Sequence, residues 1–189
     1  NELPLKERIL VSIFQSITPR TAGFNTVNLN GVSEVGLIIL VILMLIGGSP
    51  GSTAGGMKTS TIAVICSSII SVFKNKGNAE LFRKRISDEN VKKAFTIFFL
   101  YLFIFLFSGL IISKIENVSV LSGLFETASA IGTVGLTLGI TPTLGLVSKI
   151  ILIMLMFFGR IGGLTLIYAT LGEGKKQFYN YPLEKIMVG

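Results

Sequence analysis

The chain has 189 residues, of which 50% are apolar, 14% are charged and 21 are glycine. An average soluble domain is about a quarter charged, so this composition excludes an ordinary solvated surface. With no His and one Cys (Cys66), it also excludes disulfides, His general bases and Cys/His zinc clusters, and the net charge of +7 implies nothing until it is located.

The chain opens at Asn1, and Asn1-Glu2-Leu3-Pro4 has no signal-peptide form, so it is expected to be a piece of something longer. A short amphipathic helix is predicted over about Leu5–Ile17, too short to cross a bilayer. Thr21-Ala22-Gly23-Phe24-Asn25 follows it. From Val35 to Phe73 the chain is apolar for 39 residues, almost twice the length of one crossing. Its middle, Gly47 to Gly56, combines the two worst helix-interior residues, Gly and Pro. The tract therefore reads as a helix, a non-helical interruption and a second helix from about Met57 to Phe73.

Half of residues 74–93 are charged: Lys74, Lys76, Arg83, Lys84, Arg85, Lys92 and Lys93 against Glu80, Asp88 and Glu89. The positive-inside rule puts this loop in the cytoplasm, which makes the basic surplus a matter of topology and not a nucleic-acid patch. The 20 residues Ala94–Ser113 carry no charge and include Phe95, Phe98, Phe99, Phe103, Phe105 and Phe107. At ~1.5 Å per residue they cover a hydrocarbon core of roughly 30 Å. A transmembrane helix is predicted there. A second short helix is expected over about Ser119–Ala130, then Thr133-Val134-Gly135-Leu136-Thr137. A last apolar tract runs from Gly145 to about Leu171, with Gly159, Arg160, Gly162 and Gly163 in its middle, and the tail 172–189, with Lys175, Lys176 and Lys185, returns to the cytoplasm.

The chain repeats itself. Residues 14–24 resemble residues 125–136 with one residue inserted, after which the frame holds at an offset of 112: Gly23 on Gly135, Leu43-Met44 on Leu155-Met156, Gly47 on Gly159. Each copy holds a half-length helix, a Thr-x-Gly turn, a polar stretch and a long apolar helix. A half-length helix dipping into the membrane points its partly negative C-terminal end at a cation. The extended residues after it can replace an ion's water shell with backbone carbonyls, as Thr-Val-Gly-Tyr-Gly does in potassium channels. Gly supplies the conformations this needs, and non-helical backbone at that depth must be buried by protein or line an aqueous path.

The two Thr-x-Gly segments, the Gly47–Gly56 interruption, Arg160 and the Tyr-Pro-Leu-Glu-Lys-Ile tail together resemble the membrane subunit of the Ktr/Trk/HKT superfamily of potassium transporters, of the bacterial Ktr kind most of all. The resemblance covers essentially the whole chain. It implies four helix–pore-loop–helix repeats around one ion path, of which this chain is the C-terminal half. The expected fold is thus an all-α membrane protein with two such repeats, the first lacking its outer helix, with re-entrant pore helices and a broken inner helix. The segments are residues 1–73 (third pore loop and broken inner helix), 74–93 (basic cytoplasmic loop), 94–171 (complete fourth repeat) and 172–189 (cytoplasmic tail). The implied activity is potassium uptake across the bacterial plasma membrane, with sodium coupling left open and no cofactor bound by the chain. It is not expected to be an enzyme. The implied partners are the other repeats of the same subunit, a second subunit in a homodimer, the lipid bilayer and a cytoplasmic nucleotide-binding regulatory ring.

Residue by residue, Thr21, Ala22, Gly23 and Phe24, with Thr133, Val134, Gly135 and Leu136, are the expected potassium filter. Asn25 and Thr137 stand where potassium channels have a second Gly. The expected gate is Gly47, Gly48, Ser49, Gly51, Ser52, Thr53, Gly55, Gly56 and Lys58, with Arg160 as a positive barrier below the filter. A charge at that depth requires protein or water around it. Gly51 to Thr59 misses the phosphate-loop pattern G-x-x-x-x-G-K-[ST] by one residue, Met57, which argues against an ATP-driven enzyme. The alternative reading is a secondary transporter with its substrate site at the helix break. Glu126 is expected to meet Arg20, pore-loop amides or the cation, and Cys66 to be a small packing residue.

Overall fold

The computed structural model describes residues 4–162. The helices are α1 (Leu5–Ile17), α2 (Glu34–Leu45), α3 (Thr59–Phe73), α4 (Asp88–Glu116), α5 (Val120–Ile131) and α6 (Leu146–Ile161). The expected extension of the last helix to Leu171, Gly163 and the tail lie outside the described residues. Three helices begin on a serine whose hydroxyl takes up an orphan amide of the first turn: Ser33 from Gly36, Ser87 from Asn90 and Ser119 from Ser122.

The helix break is real and narrow. α2 stops at Leu45 and α3 starts at Thr59. Residues 74–93 are more ordered than a loop. Glu80–Leu81 pairs antiparallel with Lys84–Arg85, and α4 begins at Asp88, so Lys92 and Lys93 belong to its first turns. Ser87 as cap and Asp88 and Glu89 in the first turn, where acids favour the helix dipole, explain the early start.

α5 is the centre of the packing, in contact with α2, α4 and α6. Eight of its 12 residues are buried, Phe125 completely. Small residues let the backbones meet: a Cβ added at Gly123 would stand 2.7 Å from the Gly109 carbonyl oxygen of α4. α4 has 29 residues and alone among the described helices is long and apolar enough to cross a membrane. Only 28% of its most apolar stretch is buried, the reverse of a soluble core helix. Phe99, Phe103 and Phe107 are exposed along it, as are Ile150, Ile153 and Phe157 along α6.

The internal repeat is present in the backbone. Leu29–Gly31 and Thr141–Thr143 are both 3-10 turns, and α2 and α6 start at Glu34 and Leu146, all at the offset of 112. The copies differ in cover. α4 packs on α5, whereas α1 has no buried residue. Cys66, expected as a small packing residue, is exposed and lines a cavity beside α3.

Candidate functional site

Each half-length helix ends in a turn of the same unusual backbone. Thr21 and Thr133 have φ of 67° and 50°, and Gly23 and Gly135 have φ of 72° and 91°. Ala22 and Val134, between them, are not in the left-handed region. A chain whose residues alternate in hand turns successive carbonyls toward one side, and a non-Gly residue held in that region costs energy that the surroundings must supply. Hydroxyls help supply it. The Thr18 hydroxyl donates to the Phe24 carbonyl at 2.6 Å, and the Ser129 hydroxyl accepts from the Gly135 amide at 3.2 Å. The two turns touch: a Cβ at Gly23 would stand 2.1 Å from the Val134 carbonyl oxygen, whereas one at Gly135 would meet nothing. Val134 and Leu136 are buried, but Phe24 is 69% exposed.

Directly against these turns lies the 46–58 loop. Its neck is closed by backbone bonds, Gly47 N–H to the Met57 carbonyl at 2.8 Å and Met57 N–H to the Leu45 carbonyl at 3.1 Å. Its interior carbonyls are held by cations from three directions. Arg160 Nη1 donates to Thr53 at 2.7 Å, Arg20 Nη1 to Ile46 at 3.2 Å, and Lys58 Nζ to Ala54 at 2.6 Å and Ser52 at 3.1 Å. Charged donors make such bonds roughly twice as strong as neutral ones. The loop also bonds the turn above it, Gly55 N–H to Thr133 Oγ1 at 3.1 Å. A polar cavity of about 250 Å³ remains between loop and turns, lined by Arg20, Thr21, Ser52, Thr53, Thr133 and Arg160.

Glu126 is 4% exposed. Its carboxylate accepts from the Thr137 hydroxyl, the Leu138 amide at 3.2 Å and the Thr141 hydroxyl at 2.8 Å. It thereby ties the chain just after the second turn to α5. Of the three options open for Glu126, the described contacts are with an amide and hydroxyls of the pore-loop region.

The structure therefore brings Thr21–Phe24, Thr133–Leu136, the 47–58 loop and Arg160 into one place. Sequence reasoning missed three parts of it: the Arg20 contact, the Gly55–Thr133 bond and the hydroxyls around Glu126. Only the Thr137 and Thr141 hydroxyls left a signal, being polar in an apolar stretch.

The sequence profile of the TrkH family, described as cation transport proteins, matches residues 1–177. The chain belongs to the TrkH family of cation transport proteins. It is 40% identical over 189 residues to the potassium/sodium uptake protein NtpJ of Enterococcus hirae, covering 97% of this chain and 42% of that one. It is 36% identical over 187 residues to the Ktr system potassium uptake protein B of Bacillus subtilis, covering 99% and 42%. The chain thus spans about two fifths of the length of these relatives. In fold it is similar to the crystal structure of the potassium transporter TrkH from Vibrio parahaemolyticus, with a TM-score of 0.68 and 24% identity over 84% of this chain and 36% of that one. The mostly helical architecture is that of this membrane transporter family, and the family consists of transporters, not enzymes.

Proposed function

We propose that this chain supplies two of the filter segments, and the gate, of a potassium uptake protein. The observation that carries this reading is the paired left-handed Thr and Gly, Thr21 with Gly23 and Thr133 with Gly135, each at the end of a half-length helix. Carbonyls of Thr21, Ala22, Gly23 and Phe24 and of Thr133, Val134, Gly135 and Leu136 replace potassium's hydration at the axis. The helix ends of α1 and α5 add their partial negative charge. NtpJ is named for both potassium and sodium, and potassium is the cation we assign here.

Below the filter the 47–58 loop blocks the path. In its closed form Arg20, Lys58 and Arg160 are turned toward loop carbonyls, and Arg160 adds a positive barrier. This arrangement favours a gate over the substrate site of a broken-helix transporter, because the carbonyls of Ser52, Thr53 and Ala54 are already occupied by protein cations. Exposed α1 and Phe24 fit a missing outer helix and two further repeats of the same polypeptide, and the subunit pairs as a homodimer. The basic face of residues 74–93, together with 172–189, lies in the cytoplasm and meets a nucleotide-binding regulatory ring that moves the loop.

The test is uptake by the full-length protein in bacterial cells lacking other potassium uptake systems. Selectivity for potassium over sodium falls when Gly23 or Gly135 is replaced by Ser. Unchanged selectivity in both variants overturns the filter assignment.

A further inference from the structure

The hairpin between α3 and α4 folds back so that Glu80 and Leu81 lie beside α3. The Ser67 hydroxyl, on the last-but-one turn of α3, donates to the Glu80 carbonyl at 2.7 Å, and the Ile86 amide donates to the Ala79 carbonyl at 2.9 Å. Ser67 stands about 9 Å along the helix from its end at Phe73. A cavity of about 350 Å³ between α3 and the hairpin has Ala63, Ser67, Ile70 and Leu81 in its lining, with Lys74, Lys76 and Glu80 also lining it, so the chain leaves α3 and runs back beside it. Leu81, the residue before Phe82, is thus carried to the level of an uncharged stretch of helix.

The tip is unusual in chemistry and backbone. Phe82 and Arg83 have φ of 49° and 63°, a conformation that a bulky side chain rarely adopts. The Phe82 ring is 91% exposed. The next residues are Arg83, Lys84 and Arg85. Glu80 is taken by Lys76 and Glu89 by Lys93, and among the described residues these three cations have no acidic partner. One exposed aromatic ring beside three unpaired cations, held at the end of the membrane helices, has the composition of a segment lying in the interface of an anionic bilayer.

We propose that the 80–85 hairpin is a foot on the membrane surface: Phe82 enters the boundary between headgroups and acyl chains, and Arg83, Lys84 and Arg85 pair with the phosphates of anionic phospholipids. This rests on the reading that α3 and α4 leave the membrane on this side. A protein partner is the less suitable occupant, because the hairpin returns beside α3 instead of standing beyond it. The regulator then meets the remainder of the basic face and the tail.

The probe is Phe82→Trp in the full-length protein, read as the difference in emission from the parent, in vesicles of brominated phosphatidylglycerol or brominated phosphatidylcholine. The expected result is blue-shifted emission, quenched at least twofold more by the anionic lipid. Adding Arg83→Gln, Lys84→Gln and Arg85→Gln should abolish that preference. Emission at the wavelength of a solvated ring, unquenched by both lipids, overturns the proposal. So does equal quenching by both lipids that the triple change leaves unaltered, or a shift seen only on adding the cytoplasmic regulator. Potassium flux measured in the same vesicles keeps the readings apart: intact selective flux without lipid quenching defeats the foot alone, and quenching without potassium selectivity defeats the filter alone.

Discussion

The Gly55 amide and the Thr133 hydroxyl, 78 residues apart in the chain, share a hydrogen bond of 3.1 Å. It joins the loop to the inner end of a filter turn, so the proposed gate and filter are one hydrogen-bonded unit while the loop is closed. Gly55 is buried, and a Cβ there would stand 2.4 Å from Thr133 Oγ1, which leaves no room for a larger residue.

Thr133→Val keeps the shape of the side chain and removes the acceptor. A neutral hydrogen bond of this kind is worth about 1 kcal/mol, so the closed loop should lose roughly fivefold in population relative to the open one. Potassium flux through purified full-length protein in liposomes, without regulator, should rise accordingly. Flux at or below wild type in a folded protein would show that the bond does not restrain the loop.

Deleting Ser49–Gly55 should raise unregulated flux further, because it removes the carbonyls that Arg160 and Lys58 hold while keeping the bonds at Gly47 and Met57. Arg160→Ala should act in the same direction, removing tether and barrier together. A well-folded loop deletion with no gain in flux rules out gating by this loop.

Gly23→Ser and Gly135→Ser should differ in severity. Both place a side chain in the left-handed region, at a cost of about 1–2 kcal/mol. Only at Gly23 does the new Cβ collide with backbone, 2.1 Å from the Val134 oxygen. Both variants should lose selectivity, and Gly23→Ser should also lose most of its uptake. Equal uptake by the two would mean that the turns do not touch in the working protein.

Glu116 closes the far end of α4 onto α6, accepting from the Ser148 hydroxyl and from the Gly145 amide at 2.9 Å. The Ser148 bond first, then the Gly145 amide, holds its carboxyl below the usual carboxylate range. A lowered folded pKa means stabilisation that is present above the ordinary range and lost as pH falls through the folded value. Glu116→Gln should therefore unfold at a lower temperature than wild type at neutral pH, and the gap should close in acid. A gap independent of pH would deny the ionised carboxylate its part.

Much of this was legible in the sequence for a physical reason: apolar length and Gly/Pro punctuation report directly on membrane depth. Hence α4, the break before Thr59 and the 112-residue frame were all readable. Contacts between distant residues leave no such trace. Nothing in Arg20 or Gly55 announces a partner, because each bonds to backbone or to a common hydroxyl. The hairpin was invisible for a different reason. Left-handed turns of this kind are usually written with Gly or Asn, and here they fall on Phe82 and Arg83.

The closed neck of the 46–58 loop separates two design problems. Leu45 and Met57 are fastened side by side, so α2 and α3 approach each other at the same point whatever lies between them. Residues 49–54 are then a cassette, open to change in length and composition without moving the helices that support the proposed filter, while Gly48 and Gly55 on either side keep their bonds to Thr59 and Thr133. In the proposed gate the threshold for opening can be retuned by substitution in these six residues, while the proposed filter stays where it is.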